Sequence, residues 1–264
     1  MKLQLIVSTM FQDDLSLVDK MKISSEAIII NQCNKNQRFE FFHNNNRITW
    51  INTSERGLSN SRNMGLKNAS GDICVLADDD LEYIDNYEKI ILNEFERYSN
   101  VDIITFQVYG IEKKFKSYSK KKKKLNFIST FKVSSVEIAF KLNSIKNAGI
   151  QFNEYFGAGS KFILGEENIF LSDCIKKGLK IMYVPVKIAD LHVGNSTWFK
   201  GFNEEYFISR GASFTAMSKT LSILLILQFA IRKYKLYKKS MPMVQAIRYM
   251  LKGRKQFLDI GCDD

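Results

Sequence analysis

The sequence predicts an α/β fold in which helices flank a mostly parallel β-sheet. Three observations support this prediction. Short apolar runs recur through the first part of the chain, segments with apolar residues at helical spacing separate several of them, and polar or glycine-containing stretches follow the runs. With 45% apolar residues and only two prolines in 264 residues, the chain can bury a large core without disulfide bonds.

The first part of the chain alternates predicted strands with predicted helices, which is typical of parallel sheets. The strands are residues 3–8, 27–30, 48–51, 73–77 and 101–108. The helices are residues 58–67, which end before Gly71, and residues 85–98, for which Asp85 is the expected N-cap. The stretch LSLVDKMKI, between the first two strands, also has apolar residues at helical spacing.

The second part interrupts this pattern and then resumes it. Five consecutive lysines at residues 120–124 repel one another, so we expect a loop or an exposed helix face there. Residues 166–177 predict a helix ended by Gly178, and residues 180–184 predict a strand stopped by Pro185. The remainder of the chain predicts basic helices.

Charge and cysteine usage narrow the function classes. The formal net charge is +11, and basic residues crowd residues 113–124 and 232–255, whereas three aspartates lie together in the first half. Such segregation indicates an anionic partner: a membrane surface, a nucleic acid or a phosphorylated substrate. The cysteines, which are Cys33, Cys74, Cys174 and Cys262, form no C-x-x-C pair. We therefore expect reduced thiols in a cytoplasmic protein and no zinc site, and the apolar N-terminal stretch is too short for a signal peptide.

The most informative stretch is GDICVLADDD, in which Asp78, Asp79 and Asp80 follow a predicted strand. In open parallel sheets, ligands bind beyond the carboxyl ends of the strands. Three adjacent carboxylates repel one another, and Mg²⁺ or Mn²⁺ bound between them and the phosphates of a substrate would offset that repulsion. The alternative, a solvated acidic turn that caps the next helix, stays open at this point.

Neighbouring residues favour the phosphate-binding interpretation. Upstream, in RGLSNSRNMGLKNASGD, Arg56 and Arg62 offer planar guanidinium groups that suit phosphate oxygens. Downstream, in LGEEN, Glu166 and Glu167 start a predicted helix, where an acidic first turn that complements the helix dipole is the alternative. His192 follows a strand and is either a metal ligand or a hydrogen-bonded structural residue.

The stretch RGLSNSRNMGLKNASGDICVLADDD resembles a characteristic block of the inverting family 2 glycosyltransferases, which have the Rossmann-like GT-A fold. That block contains a G-x-x-x-A-R-N-x-G segment followed by D-x-D-D aspartates. GEEN resembles the family's E-D motif. The similarity covers about residues 1–200 and is of the bacterial polysaccharide-biosynthesis type.

The resemblance implies roles for residues at the predicted strand ends. Asp79 would hold the metal, Asp78 would lie toward the ribose, and Asp80 would support the site or share the metal. Arg62 would lie near the nucleotide diphosphate, and Ser8 would touch the nucleotide. The implied cofactor is Mg²⁺ or Mn²⁺.

The resemblance also implies that Glu167 aligns with the catalytic base and Glu166 with the glutamate before it. His192 resembles the additional metal ligand of many GT-A enzymes. Two departures leave details open. NQCN, which starts at Asn31, stands where the family often has D-D-G-S, so the uracil contacts and the identity of the base stay open. Ala77 stands where the first aspartate of D-x-D usually lies, so the register of the metal ligands could slip by one residue.

The activity that the resemblance implies is transfer of a sugar, with inversion, from a nucleotide-diphosphate sugar such as a UDP-sugar. The acceptor would be a hydroxyl of a glycan or polyprenyl-linked saccharide in cell-surface polysaccharide synthesis. Two other classes stay open: a nucleotidyltransferase or other metal-dependent nucleotide-sugar enzyme, and a non-catalytic protein with a basic binding surface. No nucleic acid is expected, because the lysine run lacks interleaved aromatic residues.

We expect a glycosyltransferase domain over residues 1–200 and a basic helical extension over residues 201–264. In the extension, TLSILLILQFAI is apolar but only twelve residues long, and RKYKLYKK follows it. A spanning helix needs about twenty residues. The pattern favours either a helix lying on the anionic inner face of the cell membrane or a core helix that covers the sheet. Trp198 is expected to stack on a sugar ring or to pack in the core.

Overall fold

The computed structural model describes residues 1–195, 199 and 201–260, so Trp198 and Cys262 lie outside the described residues. The chain divides into two compact units. The first comprises Met1–Arg56, Asn60–Phe152 and Leu171–Ser196, and the second comprises Gly57–Ser59, Asn153–Phe170 and Thr197–Asp264. The assignment of a catalytic domain and a helical extension to parts of the chain stays a prediction.

The described strands form one ten-stranded, mostly parallel sheet in the first unit, which confirms the predicted fold class. In chain order they are β1 (Leu3–Met10), β2 (Glu26–Gln32), β3 (Gln37–His43), β4 (Asn46–Thr53), β5 (Ile73–Asp78), β6 (Leu81–Tyr83), β7 (Ile103–Gly110), β8 (Lys123–Leu125), β9 (Ile138–Lys141) and β10 (Ile181–Leu191). Along the sheet the order is β3, β4, β2, β1, β5, β9, β7, β10 and β6, with β8 also paired to β10. Because β1 pairs in parallel with β2 and β5, and β2 with β4, the carboxyl ends of these four strands share one edge.

Burial of both faces of the sheet explains why its central strands read as continuous apolar runs. In β1, Leu5, Ile6 and Val7 are fully buried. The flanking helices are α1 (Leu17–Lys20), α2 (Leu58–Asn68), α3 (Tyr87–Arg97), α4 (Leu142–Ala148) and α5 (Glu166–Lys176). Helix α2 approaches β1 closely at Gly65, where a Cβ atom would lie 2.3 Å from Ile6 Cγ2, so a larger residue would require Ile6 to move. Free thiols are Cys33, Cys74 and Cys174.

The second unit contains the C-terminal helices α6 (Glu204–Met217), α7 (Ser222–Arg232), α8 (Tyr234–Tyr237) and α9 (Met243–Ile260). Helices α6 and α9 bring their backbones together at two glycines. A Cβ atom at Gly211 would lie 1.9 Å from the Met250 carbonyl oxygen, and one at Gly253 would lie 1.9 Å from that of Ile208. Helix α7 packs against both. Among the described residues, no helix combines the length and apolar character needed to cross a membrane.

The predicted stop at Pro185 and the predicted cap at Asp85 are wrong, whereas the predictions for the lysine run and for LSLVDKMKI hold in part. Pro185 does not stop the last strand, because β10 continues past it through register shifts that accommodate a residue without an N–H. The lysine run at residues 120–124 ends in the short strand β8, whose lysines stay exposed beside β10. Asn86, in a left-handed conformation with φ 60°, precedes α3 instead of an Asp85 cap. LSLVDKMKI forms only the four-residue α1.

Candidate active site

The parallel register brings polar residues of β1 and β5 together at the carboxyl edge of the sheet. Ser8, near the end of β1, is the register partner of Asp78 at the end of β5. Ser8 is buried, and its Oγ accepts a hydrogen bond from Ser61 Oγ of α2 at 2.9 Å. Two strand ends and one helix therefore meet at Ser8.

Asp78 is held by a buried arginine. Arg62, on α2, is only 1% exposed, and its Nη2 donates to Asp78 Oδ1 at 3.0 Å. The Arg62 guanidinium also lies over the Phe152 ring, with 5.6 Å between Cζ and the ring centroid. A buried cation is costly unless an anion pairs with it, so the Arg62–Asp78 pair fixes both side chains.

Asp79 is held by a threonine hydroxyl that the sequence motifs do not predict. Thr9 Oγ1 donates to Asp79 Oδ2 at 2.5 Å, and Gln12 Nε2 donates to Thr9 Oγ1 at 3.0 Å. Burial raises the pKa of Asp79, the hydrogen bond from Thr9 opposes that rise, and the charge of Asp78 adds to it. The position of Thr9 directly after Ser8, at the end of a strand that leads to the ligand edge, is the signal that could have identified it.

Asp80 combines crowding with an unsatisfied oxygen. Burial, followed by the charges of Asp78 and Asp79, raises the pKa of Asp80 to about 7. Its Oδ1 is buried and has no hydrogen-bond partner among the described residues. A buried carboxylate oxygen in this state is costly, and a divalent cation that prefers hard oxygen ligands would relieve the cost. The chemistry of Asp79 and Asp80 therefore fits Mg²⁺ or Mn²⁺.

A divalent cation at the aspartates would have few protein ligands. In residues 1–195, 199 and 201–260, no group of three or more His, Cys, Asp or Glu side chains is arranged to hold a metal ion. Magnesium usually takes one or two protein carboxylates and completes its shell with water and substrate phosphates. A cation here would thus be shared with a phosphate-bearing ligand, and metal dependence stays a prediction.

His192 meets the aspartates through its main chain, whereas its ring meets two glutamates. Its backbone N–H donates to the Asp80 carbonyl oxygen at 2.9 Å. Its Nδ1 lies 3.0 Å from Glu112 Oε1, and its Nε2 lies 3.7 Å from Glu82 Oε2. The hydrogen bond with Glu112 is the main cause that raises the pKa of His192. These contacts suit the structural alternative, and the role as a metal ligand stays a prediction.

Arg56 ties together the segments that follow three strands. Its Nη1 donates to the carbonyl oxygens of Cys33, after β2, and Thr53, at the end of β4, at 3.0 and 3.2 Å. Its Nη2 donates to Asn34 Oδ1 at 2.7 Å, and its Cζ lies 5.3 Å from the ring centroid of Phe11, which follows β1. Arg56 therefore orders the edge of the sheet, and a contact with phosphate stays a prediction.

A second network missed from sequence is centred on Asn31, at the end of β2. Asn31 Nδ2 donates to Asn52 Oδ1 and to the Gln12 carbonyl oxygen, each at 2.9 Å, while its Oδ1 accepts from the Gln12 N–H at 3.0 Å. An aspartate could only accept, so the amide explains why asparagine suits this position. Asn52 and Thr53 also line a cleft of about 510 Å³, a volume in the range of small-molecule sites.

The predicted base residues lie in the first turn of α5. Glu166 and Glu167 belong to the second unit, whereas the aspartates belong to the first. Glu166 is 6% exposed and Glu167 is half-buried. Gly157, with φ 104°, passes so close to Glu166 that a Cβ atom there would lie 3.4 Å from the carboxyl carbon. The first turn of a helix stabilises negative charge, which suits both carboxylates.

The decisive comparison is with protein families. The family model described as Glycosyl transferase family 2 matches residues 22–164, more than half of the chain. The chain belongs to glycosyltransferase family 2. The match includes both arginines and the three aspartates and ends just before Glu166. No curated protein matches the sequence of this glycosyltransferase.

Solved structures share the fold of this family 2 glycosyltransferase. S. aureus TarS 1-349 in complex with UDP-GlcNAc has a TM-score of 0.66 and 13% identity, over 98% of this chain and 89% of that one. TarS 1-349 in complex with UDP has a TM-score of 0.62 and 13% identity, over 98% and 88%. A longer S. aureus TarS structure has a TM-score of 0.62 and 14% identity over 89% of this chain, which spans only 44% of that one. At such identities the likeness establishes the fold.

Proposed function

We propose that this glycosyltransferase moves a sugar from a UDP-sugar to a hydroxyl group of a saccharide acceptor, with inversion at the transferred carbon. The observation that carries the proposal is the trio of aspartates at the end of β5. Asp78 is fixed by Arg62, Asp79 is held by Thr9, and Asp80 has a buried oxygen that finds no hydrogen-bond partner within the described part of the chain. The ligands of the TarS structures, UDP-GlcNAc and UDP, support a uridine donor.

Donor binding is proposed for the residues at the strand ends. Asp78, oriented by the buried Arg62, would accept hydrogen bonds from the ribose, and Ser8 would contact the nucleotide. Arg62 and Arg56 would add positive charge near the diphosphate, where arginine is well suited to phosphate oxygens. Because Arg56 already donates hydrogen bonds to several carbonyl oxygens, its main contribution would be to order the carboxyl edge of the sheet, where the nucleotide is proposed to bind.

Asp79 and Asp80 are the residues proposed to hold Mg²⁺ or Mn²⁺, with His192 as a further ligand if its ring leaves Glu112. When bound, the cation would neutralise negative charge that develops on the leaving diphosphate. Thr9 would keep the Asp79 carboxylate oriented and ionised through its hydrogen bond. A site organised before substrate binding needs no rearrangement at the moment of reaction.

Glu167 is proposed as the general base that takes the proton from the acceptor hydroxyl. It is more exposed than Glu166, which packs beside Gly157, so an acceptor can reach it more easily. Glu166 would hold the start of α5 in position. A positioned carboxylate base typically contributes about 10²–10⁴-fold to rate.

The acceptor is proposed to be a glycan or a polyprenyl-linked saccharide in cell-surface polysaccharide synthesis. The protein would then work in the cytoplasm, in contact with the inner face of the cell membrane. Support for this location comes from the apolar and basic residues of α7 and α8.

A nucleotide panel tests the proposed reaction. Thermal melting of the full chain would be measured with UDP, GDP, CDP and TDP, with and without Mn²⁺. A ligand at one hundred times its Kd adds about 2.7 kcal/mol, which should raise the melting temperature by about 5–10 °C. We expect the shift with UDP and Mn²⁺, followed by UDP release from a UDP-sugar. Release of pyrophosphate or UMP would favour a nucleotidyltransferase, and no shift with any nucleotide would refute the proposal.

A further inference from the structure

Helix α7 is apolar on two opposite sides. One side packs within the second unit, where Leu225, Ile226 and Ala230 are at most 4% exposed. The other side is open, and its members are 42% to 66% exposed: Ile223, Leu224, Leu227 and Ile231. Their spacing places them on one face of the helix, here named the α7 apolar face. A helix that is apolar all round is expected in a protein core or in contact with lipid.

Exposed large apolar residues also lie on either side of the α7 apolar face in the sequence. Leu221, directly before α7, is 45% exposed, and Leu236, in α8, is 62% exposed. Large apolar residues on soluble proteins are normally scattered singly, whereas a contiguous exposed row marks an interaction surface. The row therefore requires an occupant.

The charge around the row is one-sided. Residues 206–258 contain eleven Lys and Arg and no Asp or Glu. Because the whole chain has 39 basic and 28 acidic residues, the rest of the chain has 28 of each and is neutral. The entire formal excess of +11 thus lies in the segment that carries the α7 apolar face. The exposed basic residues closest to it in sequence are Lys219, Arg232, Lys233, Lys235, Lys238 and Lys239.

We infer that the α7 apolar face docks on an anionic lipid bilayer, with the basic residues contacting lipid phosphates. An anionic bilayer offers negative charge at its surface and hydrocarbon directly beneath, which matches both features of the row. Docking of a second copy of the chain on this face would bring the exposed basic residues of both copies together, and like charges repel. A nucleic acid would match the charge but would leave the leucines against phosphates.

The length of α7 sets how it lies on the bilayer. Its eleven residues span about 16 Å, roughly half of the hydrocarbon thickness. The helix would therefore lie in the plane of the interface, with the α7 apolar face toward the acyl chains. This inference deepens the membrane location in the proposed function, and it does not depend on the sugar-transfer reaction.

Vesicle co-sedimentation of the full chain tests the inference. Vesicles of phosphatidylcholine alone would be compared with vesicles that also contain phosphatidylglycerol. We expect binding to the anionic vesicles that weakens as salt increases. Leu224→Ser/Ile231→Ser should weaken binding at least tenfold, because about two-thirds of each side chain is available to enter lipid.

Two further variants separate charge from general surface effects. Lys235→Gln/Lys238→Gln/Lys239→Gln should weaken binding by about fivefold per lysine. Phe42→Ser/Ile128→Ser removes residues that are 76% and 49% exposed in the first unit, and it should bind vesicles like the wild type. Circular dichroism would establish that each variant is folded.

Several outcomes would overturn the inference. Equal vesicle binding by Leu224→Ser/Ile231→Ser and the wild type would exclude the α7 apolar face as the surface that contacts lipid. Equal binding to neutral and anionic vesicles would exclude a role for the exposed basic residues near α7 in binding lipid phosphates. If the protein forms a dimer in the absence of lipid, and Leu224→Ser/Ile231→Ser abolishes that dimer, the α7 apolar face contacts a second copy of the chain instead. UDP release by the same preparations separates the two proposals, because vesicle binding without UDP release refutes only the reaction, and UDP release without vesicle binding refutes only the docking.

Discussion

Thr9→Val offers a sharp test of how the aspartates are organised. Valine keeps the shape of threonine but removes the hydroxyl that donates to Asp79 Oδ2 at 2.5 Å. A hydrogen bond to a charged group is worth about 1.5–3 kcal/mol. Because Asp79 is partly solvated, water can replace part of that loss, and we expect the lower end of the range. A loss of about 1.4 kcal/mol corresponds to a tenfold weaker affinity.

The assay is calorimetric titration of UDP in the presence of Mn²⁺. Thr9→Val should raise the Kd for UDP about tenfold, whereas Thr9→Ser, which keeps the hydroxyl, should stay close to the wild type. Since the Thr9 hydrogen bond lowers the pKa of Asp79, its removal raises that pKa further, and the deficit of Thr9→Val should grow as the pH falls. Equal UDP affinity for Thr9→Val and the wild type at every pH would refute the reasoning.

Three other predictions concern stability and rate. In a denaturant titration, Arg62→Met should lower the free energy of unfolding by about 2–3 kcal/mol. This is less than the full cost of breaking a buried ion pair, because the side chain of Asp78 is 30% exposed. Adding Asp78→Asn to Arg62→Met should restore part of the lost stability. Because the pKa of Asp80 is about 7 in the folded protein and 3.8 unfolded, the folded state binds more protons between these values. As the pH falls from 8 to 5, the free energy of unfolding of the metal-free wild type should therefore rise by about 1–2 kcal/mol relative to that of Asp80→Asn. UDP with Mn²⁺ should remove this pH dependence. An identical pH dependence of the two proteins would contradict the prediction. Glu167→Gln should release UDP about 10²–10⁴-fold more slowly with an unchanged melting temperature, and near-normal turnover would remove Glu167 from the mechanism.

The central sheet is predictable because its strands are buried on both faces. Such strands are continuous apolar runs, so β1, β2, β4, β5 and β7 are each visible without knowledge of their partners. Strand β3 is missed because QRFEFFH mixes polar and apolar residues and is only half-buried at the sheet edge. Strand β9 is missed because α4 follows IAFK directly, so no turn residues mark the end of the strand.

The candidate site is only partly predictable for a related reason. The aspartates and arginines stand in one contiguous stretch, so their grouping is visible in the sequence. Thr9 and Asp79 are seventy residues apart, and their contact depends on the pairing of β1 with β5. The Arg62–Asp78 pair likewise depends on how α2 packs, which a local pattern does not encode.

The alternatives for α7 illustrate a limit of hydropathy. A twelve-residue apolar run is compatible with a core helix and with a helix on a bilayer. In the structure one side of α7 is buried and the other is exposed, so half of the helix has the burial of a core helix, and its covering of the sheet stays a prediction. It packs against α6 and α9 in its own unit. Hydropathy averages over both sides and cannot separate them.

The proposed function depends most on the binding of a divalent cation by the aspartates together with the nucleotide. Calorimetric titration of UDP into the wild type, Asp79→Asn, Asp80→Asn and the control Asp85→Asn, each with and without Mn²⁺, tests this claim directly. We predict that Mn²⁺ strengthens UDP binding at least tenfold in the wild type and in Asp85→Asn and has no such effect in Asp79→Asn and Asp80→Asn. Manganese-dependent UDP binding that survives both of those substitutions would contradict the proposed metal site.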